Sequence, residues 1–219
     1  ANSAIIHSGY DPLPNTLKAI LNVKGNAMYD KVCEELDVSF KRIGSITVAL
    51  SDSEMETLKQ LQERATLNGV KTVLLNKEEL LKEEPKLSSQ VVGGLLAPSA
   101  GIIDPFNLSV HLMENAIDNG VKLVLEEEVT KIEKKDETFI INDKYEGKVV
   151  INATGVMGDI VNELINDKTF DIMPRKGQYY VFDHFNYPFV KHTLFMVPSE
   201  KGKGVLISPT TSGNYLVGP

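Results

Sequence analysis

Helix signals and strand signals alternate along this chain, and most helix signals bring their own start and stop residues. That alternation limits the fold more than any other feature. Ser51 and Glu54 form a capping-box pattern, Met55, Leu58, Leu61 and Ala65 form an apolar stripe behind it, and Asn68-Gly69 closes the helix. Asn76 caps a short helix that Pro85 ends. Asp104 caps another, with Pro105 at its first position, Leu108, Leu112 and Ala116 directed inward, and Asn119-Gly120 at its end. Residues 26–36 read as a further helix, with Met28, Val32 and Leu36 on one stripe. Strand-like runs lie at 42–50, 71–75 and 90–96, then at 121–125, 129–134, 138–141 and 148–153. From Gly177 onward the chain reads as mostly β, with runs at 178–182, 193–197, 204–208 and 214–218. The expected class is α/β or mixed α+β, a large mixed or antiparallel sheet flanked by helices.

Composition narrows the function classes. The chain has 219 residues and a net charge of −7, and it offers no basic stripe for a nucleic acid. Charge is uneven, however. From Pro174 to Pro219 five basic residues face two acidic ones, a net +3 that leaves −10 on residues 1–173. A locally basic segment suits a small anion. The longest apolar stretch, 91–103, is interrupted by Gly93, Gly94, Pro98 and Gly101 and is too short to span a bilayer. The single cysteine, Cys33, excludes an intrachain disulfide and a cysteine-built metal site, so the expected compartment is the reducing cytoplasm. His7, His111, His184 and His192 lack metal-ligand spacing.

There is no G-x-G-x-x-G, P-loop, H-E-x-x-H or G-x-S-x-G. Three segments carry chemistry instead. At 148–155 an apolar run ends in Ala153-Thr154-Gly155, small residues that let backbone amides approach a phosphorylated ligand. The plainer reading is a strand-to-helix turn with Asp159 as a helix cap. At 174–180 Arg175 stands at the mouth of a strand, able to hold a carboxylate or phosphate through two hydrogen bonds, or else to form a surface ion pair. At 2–10 Asn2 and Ser3 precede Ile5-Ile6, and His7 and Tyr10 follow.

Together these strings resemble the FAD-dependent oxidoreductases of the D-amino-acid-oxidase type, among them flavin-linked glycerol-3-phosphate dehydrogenases and L-2-hydroxyglutarate oxidases. The likeness rests on residues 2–26, 94–108, 149–159, 174–183 and 209–219, in the family's order. It implies that the chain is the centre of a longer enzyme. On that reading 1–35 and 120–165 belong to the FAD side, and 36–119 and 166–219 to the substrate side. It implies Asn2 and Ser3 beside the flavin ring, His7 as base, and Val129 at the adenine. It also implies Ala153, Thr154 and Gly155 near the phosphates, Gly218 leading toward the flavin, and Tyr10, Arg175 and Lys176 at an anionic substrate. Family members of the hydroxyglutarate type carry Ile-Tyr-Tyr after His-x-Gly, whereas Tyr10-Asp11-Pro12 stands here, which favours glycerol 3-phosphate. The implied alternatives are L-2-hydroxyglutarate, an amine substrate (glycine, sarcosine or a D-amino acid), or a non-catalytic anion-binding or assembly module. A homo-oligomer and an electron acceptor of unspecified kind complete the expected partners. Without its own G-x-G-x-x-G the chain is expected to hold FAD weakly and not to turn over by itself.

Overall fold

The computed structural model describes residues 3–198 and 205–218. Contacts divide the chain into two units, 1–120 with 177–219, and 121–176. In chain order the larger unit holds β1 (Ile5–Ile6), α1 (Leu17–Glu35), β2 (Phe40–Lys41), β3 (Ser45–Ala49), α2 (Asp52–Leu67), β4 (Val73–Asn76), α3 (Lys77–Glu83), β5 (Gly93–Ala97), β6 (Gly101–Ile103) and α4 (Pro105–Asp118). The smaller unit holds β7 (Ile132–Lys135), β8 (Thr138–Ile141), β9 (Tyr145–Gly147) and α5 (Gly158–Glu163). The larger unit resumes with β10 (Tyr180–Phe182), β11 (Thr193–Met196), β12 (Leu206–Pro209) and β13 (Tyr215–Gly218).

The larger unit is built on a seven-stranded sheet in the order β10-β13-β12-β11-β3-β5-β4. Every joint is antiparallel except β11–β3, which is parallel. Side chains alternate between its faces. On one face Ile46, Val48 and Leu194 pack with Leu80 of α3. On the other, Ala49 and Leu95 pack with Leu58 and Leu61 of α2. That second face also carries Thr47, Phe195 and Gly218. A small sheet, β1-β6-β2, joins the N-terminal segment to the turn after β5. In the smaller unit β7, β8 and β9 form an antiparallel three-stranded sheet.

The predicted helix over 26–36 begins nine residues earlier, at Leu17, where Thr16 accepts a hydrogen bond from the Ala19 amide at 3.2 Å. Its buried positions are Ala19, Asn26 and Cys33, spaced seven apart and none of them a large hydrophobe, so the apolar pattern is faint. Met28, expected inside, is 60% exposed. Ser51 accepts from the Glu54 amide as expected, but the Glu54 carboxylate reaches the Leu50 amide rather than that of Ser51. The full capping box belongs to Asn76 and Glu79 at α3.

Two expected strands are absent. Segments 121–125 and 148–153 are irregular, with Val149 and Ile151 exposed. A strand needs a ladder partner, and among the described residues none pairs with either run. The α4 stripe is likewise uncovered beyond its first turn. Leu108 packs near Ile6, Cys33 and Ile103, but Leu112 is 48% exposed.

Candidate functional site

The chain from His7 to Pro12 runs between α1, α2 and the sheet, and side chains hold its carbonyls in turn. Asn22 and Asn26 on α1 donate to the His7 carbonyl at 3.1 and 2.9 Å. Asn68, at the end of α2, donates to the Gly9 and Pro12 carbonyls at 3.1 and 2.9 Å. Arg64 donates to the Asp11 carbonyl at 2.8 Å. Gly9 sits at φ +91°, and a Cβ there would lie 2.8 Å from Val23, so glycine is required twice over.

The side chains of this segment settle on the parallel joint of the sheet. The His7 ring stacks on Phe195 of β11, centroids 5.9 Å apart and planes inclined by 26°. The Tyr10 hydroxyl lies 2.7 Å from the Thr47 hydroxyl on β3. Phe195 and Thr47 are register partners across β11–β3. His7, Tyr10, Thr47 and Phe195, together with Asp11, therefore line one narrow cleft of about 10 Å³. Burial pushes the Tyr10 phenol up to about 12, against a smaller opposing effect of the Thr47 hydrogen bond. Tyr10 is therefore neutral across the working pH range.

Proton linkage fixes the sign of the alkaline response. A phenol whose pKa is raised on folding leaves stability unchanged below pH 10 and lowers it as pH climbs from 10 toward 12, where only the unfolded chain has ionised. One of the seven tyrosines is expected to ionise only near pH 12 in an absorbance titration. In Tyr10→Phe that late step is expected to vanish, and persistence of the step there would overturn the assignment.

A cavity of about 720 Å³ opens over the same face of the sheet. Ser3, Phe106, Val181, Thr210, Ser212 and Leu216 are among the residues that line it. Its polar groups are mostly hydroxyls, and the one carboxylate, Asp104, accepts from the Phe106 and Asn107 amides as the α4 cap. The volume falls in the range of small-molecule and cofactor sites, roughly 300–1,000 Å³. A mainly apolar wall set with hydroxyls, its one carboxylate engaged as a helix cap, fits a flat ring with polar edges. Gly218 stands in the row Phe195–Leu206–Gly218 across β11, β12 and β13. Its φ of +148° and the 2.4 Å that would separate a Cβ from the Gln178 carbonyl explain why glycine occupies it.

The structure thus brings together His7 and Tyr10 in one cleft, with Ser3 and Gly218 on nearby elements of the same unit. Asn2 lies outside the described residues. Val129, Ala153, Thr154, Gly155, Arg175 and Lys176 belong to the 121–176 unit. There Thr154 leads into a 3₁₀ turn, Gly155–Met157, and Gly155 has φ +63° with open space above its Cα. Small exposed residues at such a turn fit close approach by a phosphate group. Asp159 is not the cap of α5 but lies in its first turn. Its carboxylate accepts from the Ile172 and Ile160 amides, and these bonds, that to Ile172 first, hold its pKa below the usual value. Arg175 precedes β10 by five residues in an exposed irregular segment, so it does not open a strand directly. Sequence reasoning missed Asn22, Asn26, Arg64, Thr47 and Phe195. Only the i, i+4 pairing of Asn22 and Asn26 on a helix hinted at a shared polar contact.

The site is thus a large mixed sheet with a histidine segment laid on one face and a ligand-sized cavity over that same face. The structure overlays L-alpha-glycerophosphate oxidase from Mycoplasma pneumoniae, solved with FAD bound, with a TM-score of 0.90 at 33% identity, over 100% of this chain and 60% of that one. Glycine oxidase from Geobacillus kaustophilus shares the fold, with a TM-score of 0.83 at 19% identity, over 98% of this chain and 59% of that one. In sequence the chain is 46% identical to a glycerol 3-phosphate dehydrogenase of Caloramator mitchellensis, over 100% of its own length and 46% of the relative's. It is 28% identical to L-2-hydroxyglutarate dehydrogenase of Escherichia coli K12, over 100% of its length and 53% of that protein's. The chain therefore spans about half the length of these curated relatives. The pattern described as DAO, FAD dependent oxidoreductase, matches residues 1–219, and the chain belongs to that family. No helix among the described residues is long and apolar enough to cross a membrane.

Proposed function

We propose that the protein carrying this chain oxidises glycerol 3-phosphate at its secondary alcohol, with FAD as the electron-accepting group. The observation that carries this reading is the 46% identity to a glycerol 3-phosphate dehydrogenase over the whole chain, against 28% to an L-2-hydroxyglutarate dehydrogenase. The position of His7 supports it. A base that takes the hydroxyl proton must be held firmly at the substrate, and His7 is stacked on Phe195 with its carbonyl doubly hydrogen-bonded. When bound, FAD supplies hydride acceptance, which no side chain offers. Ser3 and Gly218 would lie along the ring, Ala153, Thr154 and Gly155 near the phosphates, and Val129 near the adenine. Asn2 would join Ser3. We assign 1–35 and 120–165 to the cofactor side and 36–119 and 166–219 to the substrate side.

The chain's own residues then divide the work. His7 holds the proton removed from the secondary hydroxyl. Neutral Tyr10, anchored on Thr47, walls the cleft without adding charge that would repel a phosphate. Arg175, with Lys176, supplies the charge that orients the anion, since a guanidinium pairs two phosphate oxygens at once. The lone buried Cys33 supports a reducing compartment, the cytoplasm.

Arg175→Ala in the full-length protein is expected to raise KM for glycerol 3-phosphate by about 30-fold or more, the consequence of leaving a phosphate unpaired. An unchanged KM would remove Arg175 from the substrate site. The function itself is tested by assaying the full-length protein with an artificial electron acceptor against glycerol 3-phosphate, L-2-hydroxyglutarate, glycine and sarcosine. Turnover of the first alone is the expected result, and preference for any other would overturn the reading. The 219-residue chain purified by itself is expected to carry much less than one flavin per chain, read from its visible absorbance.

A further inference from the structure

We infer that Asn26 is a positioning residue for His7, acting through the His7 carbonyl from a buried polar hub that Arg42 completes. This rests on the reading of His7 as the base. Asn26 is the buried polar residue in the middle of α1, 9% exposed, where an apolar side chain would be the ordinary choice. Its amide nitrogen donates to the His7 carbonyl and to the Ser99 carbonyl, each at 2.9 Å. Its amide oxygen accepts from Arg42 Nη1 at 3.2 Å. Arg42 Nη2 also donates to the Asn26 backbone carbonyl at 2.7 Å, and Nη1 to the Ser99 carbonyl at 2.7 Å. Asp30, one turn further along α1, pairs with the same guanidinium.

The arrangement fixes which end of the amide faces His7. Arg42 is donor-only, so it holds the Asn26 oxygen and turns both amide hydrogens toward carbonyls. One side chain thus joins three separate stretches of chain: the His7 segment, the turn between β5 and β6, and the link that follows β2. His7 needs such an anchor. It follows the two-residue strand β1, and Gly9, at φ +91°, lies two residues on. Phe195 sets one face of the imidazole, and the pinned carbonyl sets where the ring's own backbone lies. An ordinary core asparagine would need only to satisfy its own polar atoms, whereas here one donor is spent on the backbone of the catalytic candidate and the other on the Ser99 carbonyl, which Arg42 also holds. A displacement of about 1 Å at a reacting group costs up to about 100-fold in rate.

The test is a double-mutant cycle in the full-length protein, with kcat and KM for glycerol 3-phosphate measured separately. Asn26→Ala is expected to lower kcat by about 5- to 30-fold with KM changed less than about twofold. In a His7→Ala background the same substitution is expected to change the residual kcat by less than about twofold, because its route of action is gone. Asn26→Asp keeps the volume and the Arg42 contact but turns a carboxylate oxygen toward the His7 and Ser99 carbonyls in place of the two N–H donors, so it is expected to lower both kcat and the melting temperature. Should Asn26→Ala not fold, Asn26→Asp and Asn22→Ala, which removes the second donor to the same carbonyl, carry the test. A spectroscopic readout needs no turnover: the His7 ring proton signal, identified by its loss in His7→Ala, is expected to shift in Asn26→Asp while those of His184 and His192 stay. An equal kcat loss from Asn26→Ala with and without His7, or a wild-type kcat in Asn26→Asp, overturns the inference. If His7→Ala alone leaves kcat intact, the base assignment fails instead, which separates the two outcomes.

Discussion

His7→Ala in the full-length protein is expected to lower kcat for glycerol 3-phosphate by about 10²- to 10⁴-fold, the usual contribution of a positioned general base. KM is expected to stay within a few fold, because the anion is held elsewhere. The structural ground is the doubly held carbonyl and the Phe195 stack, which leave the ring little freedom. A kcat within threefold of wild type would sink the assignment. His7→Gln, which keeps a polar group of similar reach but cannot take the proton, is expected to be as impaired as His7→Ala.

The second large effect concerns stability. Glu84, at the end of α3, is 2% exposed, and its Oε1 accepts from the Lys191 amide, the His192 amide and His192 Nδ1, each at 2.8 Å. These bonds fix the chain where it enters β11, the strand that carries Phe195 to His7. Glu84→Ala leaves two backbone amides and an imidazole nitrogen without their acceptor. Hydrogen bonds to a buried charge and the desolvation of the orphaned donors put the cost at about 3–5 kcal/mol. For a chain of this size that is a fall in melting temperature of about 6–20 °C. Glu84→Gln retains one acceptor oxygen and is expected to lose less than half as much. A Glu84→Ala protein as stable as wild type would show that the contact contributes nothing net. If the strand also shifts, kcat falls with it, through Phe195.

These two residues illustrate what could be read early and what could not. His7 stood out because it sits in a short string shared with a known family. Glu84 is one acid among the charges of residues 82–86, and nothing in that local pattern sets it apart. Its partners lie more than 100 positions away, and no local pattern reports them.

The sequence by itself determined the capped helices α2, α3 and α4, the strands of the large sheet to within a few residues, and the flavin-dependent family. Those features depend on neighbours in the chain: a cap bonds within three residues, and an apolar period repeats within a turn. Tertiary structure alone decided the parallel β11–β3 joint, and with it the pairing of Phe195 and Thr47 beneath His7 and Tyr10. It also decided that 121–125 and 148–153 are not strands, since a ladder exists only where a second strand arrives. Asn26 belongs in the same group. A buried amide in a faintly amphipathic helix is uninformative until the folded chain brings the His7 carbonyl and Arg42 to its two ends.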